Sequence, residues 1–299
     1  MPELRLRGLA PEDLAPLLAL QHATTGRMPA WSAAQLEGQL TDIGRDGGRR
    51  VVIVTADDAV VAGAGYVPAG REHFVAPSLA ADEEAAHALF AELERRAAGA
   101  DFVRVSCGDG EHAKRRALER RGYRQAFAFV TVVRATADAR ASGRAIDGLR
   151  RVPVAEVPLE QMRAVHNEAF RGVPNAPEQS LAEVAHDVGR LFADGSGAWL
   201  DASGAVAGYL WLMREEDGRG LHSAIDSVGT ANAWRGRGLG KVMVEHALAR
   251  SAAAGIPETR ALIASTNAAS LALHTACGFV EARRRAVLQL DRPGLPPIA

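Results

Sequence analysis

The sequence predicts an α/β fold built from two copies of one αβ unit, on three observations. At 299 residues the chain is long for one compact domain and comfortable for two, each able to bury its own core. Its halves repeat one order of patterns, most visibly a strand, an acidic turn and a second strand at residues 54–67 and again at 200–212. The third observation is local. A strand-like run, 221–230, leads through a glycine-rich turn into a helical run, 239–254, whose apolar spacing buries one side.

Taken in order, both halves open with an arginine-bearing strand, 4–7 and 149–152. A helix then starts near Pro11 or Pro158, where a missing N–H costs nothing. The hairpins follow. At 75–84 the first half reads Val-Ala-Pro-Ser-Leu-Ala-Ala-Asp-Glu-Glu, with no glycine; Asp82, Glu83 and Glu84 suit a helix start but repel a bound pyrophosphate there. A helix ends at Arg121-Gly122-Tyr123 before a strand at 126–134. Residues 136–148, rich in Ala, Ser, Gly and Asp, read as an exposed linker. In the second half Gly255 and Pro257 stop the long helix, a strand covers 259–264, and Asn267 stands at a helix N-cap. That helix runs through Cys277 to Gly278-Phe279, ahead of an alternating strand at 284–290. The expected division is 1–135, a linker 136–148, 149–291, and a frayed proline-bearing tail 292–299.

Composition excludes several classes. A formal charge of −1 is not that of a generally basic nucleic-acid surface, and the arginine clusters at 115–116, 120–121 and 283–285 read as solvated faces. Lys114 and Lys241 are the only lysines, so arginine number reflects compositional bias. Cys107 and Cys277 form neither a disulfide framework nor a metal-ligand spacing, so no metal is expected. No apolar run reaches the roughly 18 residues of a membrane span, and Met1-Pro2-Glu3 does not begin a signal peptide. A cytoplasmic protein is expected.

The glycine turn, Arg235-Gly236-Arg237-Gly238-Leu239-Gly240, carries the chemistry. Glycines let backbone amides approach an anion closely. A helix start adds unpaired N–H groups and about half a positive charge, which suits a diphosphate. A Walker loop is excluded because Arg235 takes its first glycine position and Val242 follows Lys241. A kinase glycine loop joins two strands, whereas a helix follows here. A dinucleotide fingerprint keeps Gly236 and Gly238, with Glu258 about where a ribose acid stands, but Gly240 comes one residue early. An arginine- and glycine-rich surface turn without a ligand is the remaining non-binding reading.

The pattern Arg-x-x-Gly-x-Gly at 235–240, preceded by Val228-Gly229-Thr230, resembles motif A of the GCN5-related N-acetyltransferase (GNAT) superfamily. Asn267 with Gly278-Phe279 resembles its motif B, in the same order over roughly the last eighty residues. The resemblance implies two tandem GNAT-like domains, each a mostly antiparallel, mixed and twisted sheet flanked by helices, the first a degenerate copy without a cofactor loop. It implies acetyl-CoA, with its pyrophosphate on the amides of Gly236, Arg237, Gly238, Leu239, Gly240 and Lys241. Arg235 is then the residue that holds the loop. The backbone of Val228, Gly229 and Thr230 pairs with the pantetheine arm, which Asn267 and Ser270 also reach; a plain N-cap is the other reading of Asn267.

Acyl transfer needs a neutral amine, a polarised carbonyl and a protonated leaving thiolate. Asp226, uncommon in a strand, can take the amine's proton; it can equally face solvent or pair with an arginine. His274 stands where the family usually presents a tyrosine general acid. Histidine can protonate a thiolate near neutral pH, and it can also be structural, leaving catalysis to proximity alone. His222 is an alternative partner for Asp226. The acceptor, a small-molecule or peptide amine, is expected near residues 166–171, where Glu168 either attracts a cation or is a solvated helix charge. The implied activity is N-acetyl transfer in a ternary complex by a monomer or weak homodimer, without nucleic acid or membrane. A non-catalytic acyl-CoA-binding or regulatory module and a nicotinamide-binding protein are the rivals.

Overall fold

A computed structural model describes residues 3–24, 31–43, 51–69, 72–140, 145–174, 176 and 178–292. The expectations for linker residues 141–144 and tail residues 293–299 lie outside these. The elements of the first half are β1 (Leu4–Arg7), α1 (Leu14–Thr24), α2 (Ala33–Ile43), β2 (Val51–Ala56), β3 (Ala59–Ala69), β4 (Glu72–Ala80), α3 (Glu83–Arg96), β5 (Phe102–Cys107), α4 (His112–Arg120) and β6 (Arg124–Ala135). Those of the second are β7 (Arg150–Val152), α5 (Leu159–Phe170), α6 (Leu181–Gly189), β8 (Gly197–Leu200), β9 (Val206–Asp217), β10 (Gly220–Thr230), α7 (Leu239–Ala253), β11 (Glu258–Ala264), α8 (Ala268–Ala276) and β12 (Val280–Asp291). The repeat expected from the sequence is present element by element.

Local chemistry sets these elements. The acidic turn between β2 and β3 places Asp57 and Asp58 at φ 46° and 67°, a conformation that short polar side chains tolerate and tight hairpins require. In the matching turn Asp201 Oδ1 accepts from the Ser203 and Ala205 N–H groups. A capping box of Ser180 and Glu183 starts α6. Arg7 at the end of β1 donates to both oxygens of buried Asp13 at 2.5 Å, which explains the arginine on that opening strand.

The chain folds as two compact units, residues 1–128 with 217–219 and 285–299, and residues 129–216 with 220–284. The first unit's sheet runs β1-β2-β3-β4-β5-β12, the second's β6-β11-β10-β9-β8-β7. β4 pairs with β5 and β10 with β11 in parallel, while β1–β2, β2–β3, β3–β4, β5–β12, β6–β11, β7–β8 and β8–β9 are antiparallel. These units are not the continuous segments 1–135 and 149–291 read from the sequence. The ladder Ala286↔Cys107 to Asp291↔Phe102 puts the chain's last strand in the first sheet. The ladder Glu258↔Ala135 to Ala264↔Phe129 puts the end of β6 in the second. The expected linker also begins inside a fold: Thr136 and Ala139 are buried, and the Thr136 hydroxyl donates to the Ile256 carbonyl.

Each sheet is covered on both faces. In the first unit Leu89, Phe90 and Leu118 pack on one face and Leu17, Leu36 and Leu40 on the other. In the second, alternation along β9 sends Leu210 and Leu212 toward α7 and Tyr209 and Trp211 toward α5 and α6. At about 25 cal/mol per Å² of buried apolar surface, these layers supply the dominant stabilisation of each unit. They also place β10, β11 and the start of α7 around one cleft.

Candidate active site

The cleft forms because two parallel strands part. β10 and β11 pair only from Ser223↔Thr259 to Ile225↔Ala261. Beyond that point Asp226 to Thr230 and Leu262 to Ala264 flank a cavity of about 940 Å³. Leu262 stands 53% exposed at its rim. Gly229 is required by packing: a Cβ there would lie 2.3 Å from Tyr209 Cε1 and 3.0 Å from Ala169 Cβ.

At the mouth, Gly236 and Gly238 take φ of 75° and 83°, the left-handed region that glycine enters without a Cβ penalty. Gly238 is the N-cap of α7, and no side chain caps that end. Lys241 and Val242 N–H both turn back to the Gly238 carbonyl. Leu239 and Gly240, in the first turn, have no carbonyl within the helix to meet, so their N–H groups are available to an anion. Arg235 holds the turn by donating to the Thr230 carbonyl at 3.3 Å and the Ala169 carbonyl at 3.4 Å. The Arg237 guanidinium instead lies 4.7 Å over the Trp234 ring, and Arg237 does not line the cavity. All the other residues of the expected cofactor set line it, Asn267 and Ser270 included. Asn267 Oδ1 accepts from Ser270 N–H at 3.0 Å, so the residue is an N-cap and its amide NH₂ remains for a ligand.

Asp226 and His274 share this cavity; His222 does not. His222 is buried against Glu215 at 3.3 Å and Arg260 at 3.4 Å, which removes it as a partner for Asp226. Burial pushes the Asp226 carboxyl up to about 6; the Asp187 and Glu215 carboxylates push the same way, against a Ser227 hydrogen bond and Arg190. The residue is nevertheless exposed and lines the cleft, so the dehydration comes from the surrounding cleft walls and not from enclosure in the core. His274 is different. It is 1% exposed, its Nδ1 lies 2.8 Å from the Ser270 carbonyl oxygen, and its ring meets the Phe279 edge at 5.1 Å. Burial holds its pKa below the ordinary 6.5. A neutral ring whose Nδ1 hydrogen points at a carbonyl has no proton to give from Nε2, so this geometry departs from the general-acid expectation. Glu168 lines the cavity but accepts from Asn232 N–H at 3.1 Å, tying α5 to the loop.

Sequence reasoning missed Phe129, Trp234 and Leu262, which line the cavity from distant or ordinary-looking strand and turn positions. It also missed the buried pair behind β10, where Tyr209 OH and His166 Nδ1 are 2.8 Å apart. Burial alone lowers His166 to about 4, so the ring is neutral.

The profile of the Acetyltransferase (GNAT) family matches residues 159–279, the segment that builds this cleft. Residues 159–279 match a GNAT domain. Solved structures share the fold at low identity, a tandem GNAT protein among them. A GCN5-related N-acetyltransferase from Sphaerobacter thermophilus superposes with a TM-score of 0.72 at 17% identity, covering 98% of this chain and 97% of that one. A tandem GNAT protein from the clavulanic acid biosynthesis pathway gives 0.69 at 17%, with 97% and 98% covered. A glucosamine N-acetyltransferase region of a fungal multi-domain β-N-acetylglucosaminidase gives 0.71 at 13%, with 97% of this chain and 38% of that chain. A search of curated proteins gave no sequence match.

The first unit carries different side chains at the matching positions. Counting back from Gly122-Tyr123 as from Gly278-Phe279 sets Glu111 against Asn267 and Lys114 against Ser270. Buried Lys114 binds Glu111 at 2.5 Å and the Ser78 carbonyl of β4 at 3.0 Å, spending an acceptor on the strand that matches β10. At the start of α3, Asp82 caps Ala85 N–H and Glu83 and Glu84 follow, so that helix end is both occupied and negative. No group of metal-ligating side chains occurs among the described residues, nor any helix long and apolar enough to cross a membrane.

Proposed function

We propose that the second unit binds acetyl-CoA and transfers its acetyl group to a primary amine of a small molecule or peptide, directly, with both substrates bound. The observation that carries this reading is the uncapped, doubly left-handed glycine turn at α7, opening onto strands that part after Ile225. Those residues fit the group. The N–H groups from Gly236 to Gly240 would receive the diphosphate, the Lys241 N–H being bound to the Gly238 carbonyl, and the free β10 edge at Val228 to Thr230 would pair with the arm, flanked by Asn267 and Ser270. Charge-assisted hydrogen bonds of this kind contribute roughly 1.5–3 kcal/mol each, more than the 0–1 kcal/mol of an exposed arginine contact. Acetyl-CoA supplies an activated thioester. The chain supplies position and a proton acceptor: an Asp226 carboxylate oxygen takes a proton from the incoming ammonium, and a pKa near 6 makes it a stronger base than an ordinary aspartate.

The reading includes a first unit without cofactor and a cytoplasmic protein working as a monomer or weak homodimer, with no nucleic-acid or membrane partner. One observation favours the non-catalytic alternative, a module that binds acyl-CoA without turning it over: His274 offers no proton where the family's general acid is expected. Thiol release from acetyl-CoA with a panel of primary amines separates the two. The proposal expects amine-dependent release that falls about 10²- to 10⁴-fold in Asp226→Asn. Tight CoA binding with no release for any amine, unchanged in Asp226→Asn, would establish the binding module instead.

A further inference from the structure

Leu262 opens apolar surface onto the cleft at the point where its strands part. Among the described residues three large hydrophobic side chains stand exposed, Leu6, Leu262 and Val280, and of these only Leu262 lines the cavity. Its direction follows from the strand. Ala261 and Ile263 pack toward α7, so the residue between them points to the opposite face of the sheet. On the neighbouring strand Val130 and Val132 also pack toward α7, which leaves Phe129 and Thr131 on that opposite face with Leu262.

Register sets Leu262 beside the acid. The parallel ladder ends at Ile225↔Ala261, so the next residues, Asp226 and Leu262, face each other across the opening. Asp226 feels the charge of Asp187 on α6, and α6 packs on the face that bears Tyr209 and Trp211, away from α7. Carboxylate and leucine therefore stand on one side of the sheet.

A single exposed leucine is ordinary, but this one continues into other apolar surface. Half-buried Phe129 lines the same cavity, as do Phe170 and Val173 at the end of α5. The acids are few. Among the described residues Asp226 and Glu168 are the carboxylates lining the cavity, and Glu168 already accepts from Asn232 N–H. Behind Asp226, Asp187 accepts from Gln179 Nε2 at 2.8 Å and Glu215 meets His222 at 3.3 Å. One carboxylate is left for one ammonium, and the apolar wall is left for whatever carries it. A polyamine or an amino sugar would set its further cations or hydroxyls against Leu262 and Phe129, where they lose water without gaining partners.

We propose that the acceptor is a single primary amine borne on an apolar chain or an aromatic ring, with the amine at Asp226 and the apolar body covering Leu262 and Phe129. This inference rests on the acetyl-transfer reading above and names the acceptor class of that site. It makes Leu262 a residue that sets specificity.

The test measures kcat/KM at saturating acetyl-CoA for phenethylamine, hexylamine, ethanolamine, putrescine and glucosamine, on the full chain, Leu262→Gln and Leu262→Met. The unsubstituted chain prefers phenethylamine and hexylamine over the three hydrophilic amines by about tenfold or more. Leu262→Gln keeps the side-chain length and removes its apolar character. It lowers kcat/KM for phenethylamine about tenfold, mainly through KM, and leaves ethanolamine within a factor of about two. Leu262→Met retains the preference. The panel on the unsubstituted chain keeps the test valid if Leu262→Gln does not fold. Equal or better transfer to the hydrophilic amines, or an equal loss for every amine in Leu262→Gln, would overturn the acceptor class while leaving the acetyl-transfer reading standing. Transfer to no amine in the panel would overturn both.

Discussion

Replacing Gly238 with alanine separates the backbone demands of the α7 start from its ligand. Gly238 sits at φ 83°, where an L-residue with a Cβ costs about 1–2 kcal/mol. For a protein of this size each kcal/mol lowers the melting temperature by about 2–4 °C, so a fall of about 2–8 °C is expected. Binding should suffer more. Relaxing the turn away from the left-handed region redirects the N–H groups beside it, and losing one charge-assisted bond of roughly 1.5–3 kcal/mol weakens CoA about tenfold to 150-fold. A matched control comes from the other unit. Asp82→Ala removes the cap on Ala85 N–H for about 1 kcal/mol and should leave CoA affinity unchanged. Calorimetric titration of both variants, each with its own melting curve, checks the pair. An unaltered CoA affinity in Gly238→Ala despite a lower melting temperature, or an equal loss in Asp82→Ala, would refute the assignment of the anion to the α7 start.

Other consequences concern stability. Because burial holds folded His166 near 4 against an unfolded 6.5, its contribution is present above about pH 6.5 and is lost as the pH falls toward 4. Denaturant titrations should register about 2 kcal/mol of that loss by pH 5. The raised Asp226 carboxyl acts with the opposite sign over the same interval, so the comparison is with His166→Asn, which should flatten the fall; an equally steep fall in that variant would contradict the assignment. Lys114→Ala leaves Glu111 without its buried partner and should destabilise the first unit by about 3–5 kcal/mol with CoA affinity intact. A variant that binds CoA more weakly while melting normally would reverse the reading of the first unit. Gly229→Ala forces the Tyr209 ring aside and should cost about 1–3 kcal/mol in thermal or chemical unfolding; an unchanged midpoint would mean that the strand yields instead.

What the sequence made legible is what a few adjacent residues decide. The glycine turn, the Asn267 cap, the Gly278-Phe279 stop and the acidic hairpin turns each depend on local φ or on a cap within three residues, so each is visible in a short window. The repeat was legible for the same reason, as a recurring order of local signals. Side-chain direction was not. The sequence gives no sign that the Arg237 guanidinium lies over the Trp234 ring, and His222 shares a strand with Asp226 but turns to Glu215 and Arg260. The placement of β6 and β12 was hidden because their partners lie far away in the chain, Cys107 for Ala286 and Glu258 for Ala135. The raised pKa of Asp226 comes first from burial and then from Asp187 and Glu215, which α6 and β9 bring near it, and none of these is visible in a short stretch of sequence.

The central claim is that the amides opening α7 receive a diphosphate. Amide hydrogen exchange with and without coenzyme A, read peptide by peptide and paired with the heat of binding, tests it most directly. The account predicts a measurable heat and slowed exchange across residues 236–243 and 226–230, with residues 82–86 of the first unit unaffected. Absence of heat, or protection at the start of α3 in place of α7, would contradict it.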